Sequence, residues 1–236
     1  MSPTSPIPIP ILTLSKHLRT LRTSNYKSAD ICDALLSLNV THSGFLADLH
    51  LRNASTSPTY PLVALASTIR FAPKFPPPVD AKLPGHPADL CTAPSDSLPE
   101  PRIAVIKQPY NQRCAVLGGL VALRLQKRGI VGAVIHGRAR DIGELPIPVW
   151  SKGVSCVGAG AETVPVEVGG EVEMMGVVVD EGDVVFADEE GVVVIPIMHL
   201  EQVVKRLPGL GERDAKVLEE VKEGMALGSA IKKWRK

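Results

Sequence analysis

The sequence predicts an α/β protein, and three parts of the chain lead to that prediction. Buried strands at 103–106 and 130–135 enclose a helix that begins at Gly118-Gly119, which is the order of a parallel β-α-β unit. Short valine-rich strands follow between 164 and 196, and helix returns from 199 to 236. We therefore expect mixed β-sheets flanked by helices.

Fewer elements precede this unit. Four prolines interrupt residues 1–12, which are expected to form a poorly ordered arm before a single domain at 13–236. Apolar residues at helical spacing predict a short helix at 28–36, with Ser28 at its start. The stretch 62–71 is rich in Val, Leu, Ile and Ala, which predicts a buried strand.

A proline-rich insertion, residues 75–101, interrupts the domain. It contains eight prolines in 27 residues and few large apolar side chains, which favours a long irregular segment over a part of the core. Such a segment either packs over a neighbouring element or remains mobile, and the composition leaves both possibilities open.

Turn signals divide the second half of the chain. Gly169-Gly170 predicts a hairpin turn between two valine-rich strands. The acidic segments 180–183 and 188–190 lack the spacing of an EF-hand loop, so they are predicted to be solvated turns. Residues 208–211 contain a proline and two glycines and predict a break in the C-terminal helix.

Composition limits the classes of function. With 26 Lys and Arg against 25 Asp and Glu, the formal net charge is +1, so no field of one sign is expected to attract nucleic acid or anionic lipid. The apolar runs are shorter than the ~20 residues needed to cross a bilayer, so neither a membrane span nor a signal peptide is predicted. The four cysteines are far apart and form no CxxC pair, which predicts reduced thiols in a cytoplasmic protein.

The helix start at Gly118-Gly119 is the first candidate for a functional site. Its first backbone N–H groups have no partner within the helix and lie at the positive end of the helix dipole, so a carboxylate or phosphate can bind there. A tight turn before a helix is the alternative interpretation of the two glycines. No nucleotide-binding or serine-hydrolase motif accompanies them.

Arg140 and Asp141 are the second candidate. They follow the 130–135 strand, and loops that follow parallel strands leave the same edge of a sheet, so Asp141 and the helix start are expected to face one pocket. Asp141 offers a hard oxygen ligand for Mg²⁺ or Mn²⁺. Arg140 offers a planar fork for a substrate carboxylate or an enolate oxygen. A surface Arg-Asp pair without function is the alternative.

Two further side chains lie close to this pair in the sequence. Glu144 is a candidate for holding a metal-bound water. His136 either carries a proton or has a structural role near the end of a strand, and the structural role is favoured.

Several short motifs accompany these candidates. They are Gly118-Gly119-Leu120, Gly129, Gly132-Ala133-Val134-Ile135, the run Gly137-Arg138-Ala139-Arg140-Asp141-Ile142-Gly143-Glu144, and the later stretches 181–185 and 188–196. Together with the early helix at 28–36, they resemble the core signature of the RraA-like family over roughly residues 28–230. This family includes the class II 4-hydroxy-4-methyl-2-oxoglutarate aldolases and oxaloacetate-decarboxylating relatives.

The resemblance implies a fold and an assembly. The expected fold is similar to the swivelling phosphohistidine domains, and the expected assembly is a homotrimer or a homohexamer with sites between subunits. An acidic side chain from the neighbouring subunit's C-terminal helix would then help to hold a metal-bound water, and Asp214 matches it in this sequence.

The resemblance also implies roles for the motif residues. Asp141 would bind Mg²⁺ or Mn²⁺, and Arg140 would bind a small 2-oxo acid. The backbone expected to cradle the pyruvyl carboxylate belongs to Gly118, Gly119, Leu120 and Val121.

Two positions depart from the family pattern. Bacterial members commonly carry an acidic residue 21 positions before the motif arginine, where it helps to activate water, and Gly119 stands at that position here. The segment 144–150 is also a few residues shorter than usual, so the pocket rim and the size of the substrate are expected to differ.

The function implied is a divalent-metal-dependent carbon–carbon lyase that acts on 2-oxo acids through a pyruvate enolate, as an aldolase, a decarboxylase or both. One alternative is a non-catalytic binding protein, because the family's namesake regulates a bacterial ribonuclease by protein contact. Another is an enzyme recruited to a specialised pathway. The retention of Asp141 favours metal chemistry.

Overall fold

An eight-stranded mixed sheet forms the centre of the fold. The computed structural model describes residues 9–53, 61–79, 83–95 and 98–234. The strands of this sheet are β1 (His50–Leu51), β2 (Leu62–Pro73), β3 (Arg102–Lys107), β4 (Ile130–Ala139), β5 (Val149–Val154), β6 (Thr163–Val168), β9 (Val184–Ala187) and β10 (Val192–Ile195). The spatial order is β1-β5-β4-β3-β2-β9-β10, and β6 pairs with the second half of β2. A separate hairpin consists of β7 (Val172–Met174) and β8 (Val177–Val179).

Helices pack against one face of the sheet, and the β7–β8 hairpin packs against the other. The helices are α1 (Ile11–Thr23), α2 (Ser28–Leu36), α3 (Pro87–Leu90), α4 (Gly119–Lys127), α5 (Leu200–Lys222) and α6 (Leu227–Trp234). One buried cluster joins α1, α2 and α5 to β9 and β10, and a second joins α3 and α4 to β3 and β4. A third cluster packs the β7–β8 hairpin against the sheet. No helix within the described ranges combines the length and the apolar character that crossing a bilayer requires.

The predicted α/β class and the parallel β-α-β unit are confirmed. Strands β2, β3, β4 and β5 are parallel neighbours, and α4 connects β3 to β4. Gly129 follows α4 with φ +83, a conformation that glycine adopts without steric cost, so the chain turns directly into β4. The carboxyl ends of β3 and β4 therefore lie at one edge of the sheet.

Strand β4 is longer than predicted. The prediction ended it at 135, whereas the strand continues to Ala139 and Arg140 follows immediately. The extension exists because Arg138 and Ala139 pair with Gly153 and Val154 of β5. This pairing fixes the backbone just before the candidate site.

The hairpin predicted at Gly169-Gly170 is wrong. Strand β6 pairs with β2, and the tight turn lies at Met175-Gly176, between β7 and β8. Both turn residues have positive φ, +54 and +82, as a type I′ hairpin turn requires. The glycine pair was a weaker determinant than the long-range pairing of β6 with β2.

Two helix boundaries also differ from the predictions. Helix α5 continues through Pro208, because Val203, Leu207 and Val217 bury one side of it, and the chain breaks only after Lys222. Helix α1 begins at Ile11, one residue before the predicted end of the arm at 12, and residues 1–8 lie outside the described ranges.

The middle of the proline-rich insertion, around α3, packs over α4. Ala88 and Cys91 are buried in the cluster that contains α4, and Asp89 forms an ion pair with Arg124 of that helix. Gly129 also lies close to Pro94. Residues 80–82 and 96–97 of the insertion lie outside the described ranges.

Candidate functional site

The start of α4 presents free backbone amides. Gly118 is the N-cap in an extended conformation, and the Ala122 N–H donates to the Gly118 carbonyl at 2.9 Å. The amides of residues 119–121 precede that bond and so have no acceptor within the helix. The Gly119 N–H donates to Oδ2 of Asp141 at 3.0 Å, and the amides of Leu120 and Val121 are left for a ligand.

The backbone holds Arg140 and Asp141 beside this helix start. The Arg140 N–H donates to the Leu117 carbonyl at 2.9 Å, and Leu117 bridges to Ala139 at the end of β4. Asp141 then adopts a left-handed conformation with φ +56 and ψ +41, which turns its carboxylate back toward Gly119. Non-glycine residues in this conformation carry a small strain and are frequent at functional sites.

Gly118 is required by the packing of these two side chains. A Cβ on Gly118 would lie 2.7 Å from Oδ2 of Asp141 and 2.9 Å from both Cγ and Nε of Arg140. These distances are too short for real atoms, so any side chain at this position would displace Arg140 or Asp141. The absence of a side chain at Gly118 therefore sets the geometry of the site.

Glu144 lies next to Gly119. A Cβ on Gly119 would lie 3.6 Å from Oε2 of Glu144 and 3.8 Å from Oδ2 of Asp141, which is ordinary contact. The Glu144 N–H also donates to the Asp141 carbonyl, at 2.9 Å. Two carboxylates thus lie close to the empty space above Gly119.

Glu162 anchors the loop that leads to the helix start, and the sequence analysis did not identify it. Its Oε2 accepts hydrogen bonds from the backbone N–H groups of Cys114 and Arg113, at 3.0 and 2.5 Å. The bond from Cys114, then that from Arg113, lowers the pKa of Glu162. No motif marks this residue, because its partners are backbone groups 48 and 49 positions away.

The site is open to solvent in a single chain. The Arg140 and Asp141 side chains are 43% and 40% exposed, and Nε of Arg140 lies 3.6 Å from Oδ2 of Asp141. Among the described residues, no group of three or more His, Cys, Asp or Glu side chains is arranged to hold a metal. The residues present fit Mg²⁺ or Mn²⁺ nevertheless, because these ions are commonly bound by one or two carboxylates and otherwise by water or substrate oxygens.

Two predicted site residues lie elsewhere within the chain. Asp214 is on α5, in a groove with Asp33 and Leu36 of α2, on the part of the fold formed by α1, α2 and α5. His136 lines a cavity of about 460 Å³ near the β7–β8 hairpin, and the residues around that cavity do not include Arg140 or Asp141. The structure therefore brings together Gly118, Gly119, Arg140, Asp141 and Glu144, and it places Asp214 and His136 apart from them.

Comparison with known families gives a match over most of the chain. The sequence profile described as "RraA-like: Aldolase/RraA" matches residues 28–194. An uncharacterised protein of Methanocaldococcus jannaschii is 34% identical over 120 residues, which cover 50% of this chain and 57% of that protein. A Burkholderia multivorans protein named "Putative 4-hydroxy-4-methyl-2-oxoglutarate aldolase" is 31% identical over 101 residues, which cover 39% and 58%. The chain thus spans little more than half the length of these two relatives.

Solved structures share the fold. An uncharacterised protein from Pseudomonas syringae pv. tomato superposes with a TM-score of 0.75 at 24% identity, over 99% of this chain and all of that one. Streptomyces coelicolor RraAS2, described as an unusual member of the RNase ES inhibitor RraA protein family, gives 0.66 at 23% identity, over 89% and 96%. At these identities the comparison establishes the fold alone.

Proposed function

The chain belongs to the RraA-like family, and we propose that it is a divalent-metal-dependent carbon–carbon lyase acting on small 2-oxo acids through a pyruvate enolate. Aldol cleavage of 4-hydroxy-4-methyl-2-oxoglutarate and decarboxylation of oxaloacetate share that enolate, so one site can perform either reaction. Relatives whose names include this aldolase support the reaction class.

One hydrogen bond carries the proposal, from the Gly119 N–H to Oδ2 of Asp141 at 3.0 Å. It holds a carboxylate beside the start of α4, where the amides of Leu120 and Val121 precede the first bond within the helix. Arg140 lies at the same place, with its Nε 3.6 Å from that carboxylate. The Asp141 carboxylate, the Arg140 guanidinium and the backbone N–H groups of Leu120 and Val121 therefore lie together on one part of the surface.

These groups suit the recognition of a 2-oxo acid. The substrate carboxylate accepts hydrogen bonds from the Leu120 and Val121 amides at the positive end of the helix. The Arg140 guanidinium binds a second oxygen of the substrate, where a planar donor pair matches a carboxylate or an enolate. Mg²⁺ or Mn²⁺ held by Asp141, with Glu144 and a neighbouring subunit's Asp214 acting through water, would supply a Lewis acid for the keto oxygen.

The chemistry then needs charge stabilisation and one proton. In the aldol reaction the 4-hydroxyl loses its proton and the C3–C4 bond breaks, and in the decarboxylation the same bond breaks with loss of CO₂. In both cases the electron pair of that bond forms the enolate, and Arg140 stabilises the charge that develops. The enolate becomes pyruvate when C3 takes up a proton.

Glu144 is the side chain that we assign to this proton step. Gly119 offers no acid, and Oε2 of Glu144 lies 3.6 Å from the point at which a side chain on Gly119 would begin. Glu144 is exposed, so a water molecule on its carboxylate can exchange protons with the solvent. In bacterial relatives an acidic residue at the helix start helps to activate water. Here we assign that role to Glu144, in the turn after Asp141.

A homotrimer or homohexamer is part of the proposal. Leu120 and Val157 are 84% and 42% exposed, and exposed apolar side chains near a site suit a subunit interface. A neighbouring copy would also cover the open site and bring Asp214 to it. Light scattering measures the assembly, and a protein that is monomeric at all concentrations would contradict this part.

The compartment is also proposed. All four cysteines are free thiols in the structure. Free thiols are typical of a reducing compartment, which supports the prediction of a cytoplasmic protein.

The test of the proposed reaction is a steady-state assay of pyruvate release from oxaloacetate and from 4-hydroxy-4-methyl-2-oxoglutarate. Activity should require Mg²⁺ or Mn²⁺, should disappear with EDTA, and should fall by about a hundredfold or more in Asp141→Asn. Asp180→Asn, which makes the same change at an exposed turn, is the matched control and should keep its activity. Activity that survives chelation or the Asp141 substitution would refute the metal role.

A non-catalytic regulatory protein is the second candidate. It is favoured by the loss of the acidic side chain at Gly119 and by a structural relative described as an RNA-processing inhibitor. A stable protein partner recovered with the chain, together with no lyase activity on either substrate, would reverse the order of the two candidates.

A further inference from the structure

A cavity of about 460 Å³ lies near the carboxyl ends of β3 and β4, and its lining contains no residue of the proposed lyase site. It is formed by the loop after β3, the part of β4 from His136 to Arg138, and Lys152 and Gly153 of β5. Its volume is in the range of about 300–1,000 Å³ that is typical of small-molecule sites. Nothing in the proposed reaction uses this cavity.

The cavity and the lyase site are built from different side chains. Val134, two residues before His136, packs with Trp150 and the β7–β8 hairpin, whereas Ile135 and Ala139 pack with α4. Arg138 donates through Nη1 and Nε to the carbonyls of Val154 and Gln112, which holds its guanidinium at the cavity. Arg140 lies instead beside Gly118 and Gly158.

The lining of the cavity is basic. Arg113, Arg138 and Lys152 line it, and among the residues that the structure places around it there is no Asp or Glu. Lys107 lies beneath, with its Nζ 4.0 Å from the centre of the Tyr110 ring. Three acidic side chains lie close to these basic residues: Glu162 accepts from the Arg113 N–H at 2.5 Å, Glu173 is 3.6 Å from Nζ of Lys107, and Asp48 is 3.9 Å from Nζ of Lys152.

His136 lines the cavity, but both of its ring nitrogens are buried. Its residue is 3% exposed, and neither ring nitrogen has a hydrogen-bond partner among the described residues. Tyr110 packs its ring edge-on at 4.9 Å, which fixes the plane of the imidazole. Burial, followed by the charges of Lys107 and Lys152, lowers the pKa of His136 to about 4, so at neutral pH the ring is uncharged and offers one N–H donor and one acceptor.

We propose that this cavity binds a small anionic ligand through its carboxylate or phosphate oxygens, with Arg113, Arg138 and Lys152 as the cationic contacts. Three cations around one concave surface favour an anion. Carboxylate and phosphate ligands share this chemistry, so the experiment distinguishes them.

The test is a titration of the full chain with inorganic phosphate and, separately, with malonate at constant ionic strength. Binding is followed by the amide NMR signals of Gly137 and Gly153, which line the cavity, and by calorimetry. Either anion should give saturable shifts at these signals, and the tighter of the two identifies a phosphate or a carboxylate ligand. The affinity should weaken about tenfold or more in the double variant Arg113→Gln/Lys152→Gln.

Two further variants locate the effect. Arg19→Gln/Lys205→Gln removes the same charge from exposed positions on α1 and α5 and should bind as the wild type does. Arg140→Ala removes the cation of the proposed lyase site and should also bind normally. If the first double variant does not fold, Lys152→Gln alone replaces it, since that side chain is 37% exposed.

Several results would overturn the proposal. They are the absence of saturable binding by either anion, equal affinities of wild type and Arg113→Gln/Lys152→Gln, equal weakening in both double variants, and loss of binding in Arg140→Ala. The last result would assign the anion to the lyase site. None of these measurements depends on lyase activity, so the two proposals can fail separately.

Discussion

Strand β4 ends between two polar regions that differ in how their charges are held. At Asp141, both charges of the Arg140–Asp141 pair are about two fifths exposed, and the carboxylate is fixed by one backbone N–H. At His136, the imidazole is buried, has no hydrogen-bond partner among the described residues, and lies close to lysines. The properties of the Asp141 region therefore depend on where its exposed charges are held, and those of the His136 region depend on the burial of the imidazole away from water.

This difference determines how each region can be altered. An exposed ion pair contributes little to stability, so Asp141 and Arg140 can be replaced at small cost to the fold while the site loses its geometry. A buried group such as His136 affects the free energy of unfolding directly, because any change in its protonation must be made away from water. Substitutions in the first region should therefore change activity, and those in the second should change stability and its dependence on pH.

Gly118→Ala should produce the largest effect, and it tests the claim that position governs the first region. The added Cβ would displace Arg140 or Asp141, because it would lie 2.7 Å from Oδ2 of Asp141. We expect the rate of pyruvate release to fall by about a hundredfold, the loss that a displacement of about 1 Å can cause. The assay is steady-state kinetics on oxaloacetate, with thermal unfolding measured in parallel.

Gly143→Ala is the control for that substitution. Gly143 belongs to the turn that follows Asp141, and a Cβ there would have no neighbour within 4 Å. The activity of Gly143→Ala should therefore stay close to that of the wild type. Equal activity in the two alanine variants would contradict the steric argument for Gly118.

The sequence patterns predicted the backbone arrangement of the site, but they did not predict its side-chain contacts. Two apolar runs with a glycine-bounded helix between them predicted parallel β3 and β4, and parallel strands end at one edge, so the proximity of Asp141 to the helix start followed. The contact between Glu144 and the space above Gly119 depends on the left-handed turn at Asp141, which no local pattern required. Short-range patterns predict where a chain goes, whereas side-chain contacts depend on how distant segments meet.

The same limit applies to strand pairing and to the cavity. Gly169-Gly170 is a good local turn signal, but β6 pairs with residues 69–73 of β2, about ninety positions earlier in the chain. The cavity around His136 combines three segments, and of its lining residues only Gly137 and Arg138 belong to a motif found in the sequence. The sequence pattern therefore favours a structural role for His136 and gives no sign of the basic surface around it.

Glu144→Gln should have a smaller effect, and it tests whether a side chain can replace the acid missing at Gly119. Gln keeps the size and hydrogen-bonding capacity of Glu but cannot exchange a proton, so kcat should fall about tenfold with KM unchanged. Glu201→Gln, an exposed change on α5, should have no effect. Steady-state rates as a function of substrate concentration separate kcat from KM.

A second substitution gives the rescue for this prediction. Gly119→Asp is sterically permitted, since its Cβ would be 3.6 Å or more from its neighbours, and it would return a carboxylate to the helix start. The double variant Gly119→Asp/Glu144→Gln should recover part of kcat. If Glu144→Gln alone retains full activity, the proton comes from another group.

His136→Asn should leave lyase activity unchanged and alter the pH dependence of stability. The pKa of His136 falls from 6.5 to about 4 on folding, through burial and the charges of Lys107 and Lys152, while the Gln108 backbone and then Glu173 oppose the shift. Between these values the unfolded chain binds the proton that the folded chain excludes, so the wild type's free energy of unfolding should rise with pH across this window. The contribution of this one group is at most about 1.4 kcal/mol per pH unit. Urea unfolding at several pH values should show a smaller slope in His136→Asn than in the wild type. The control His50→Asn, in which the histidine is exposed, should keep the wild-type slope. Equal slopes in all three proteins would mean that His136 titrates alike in the folded and unfolded states.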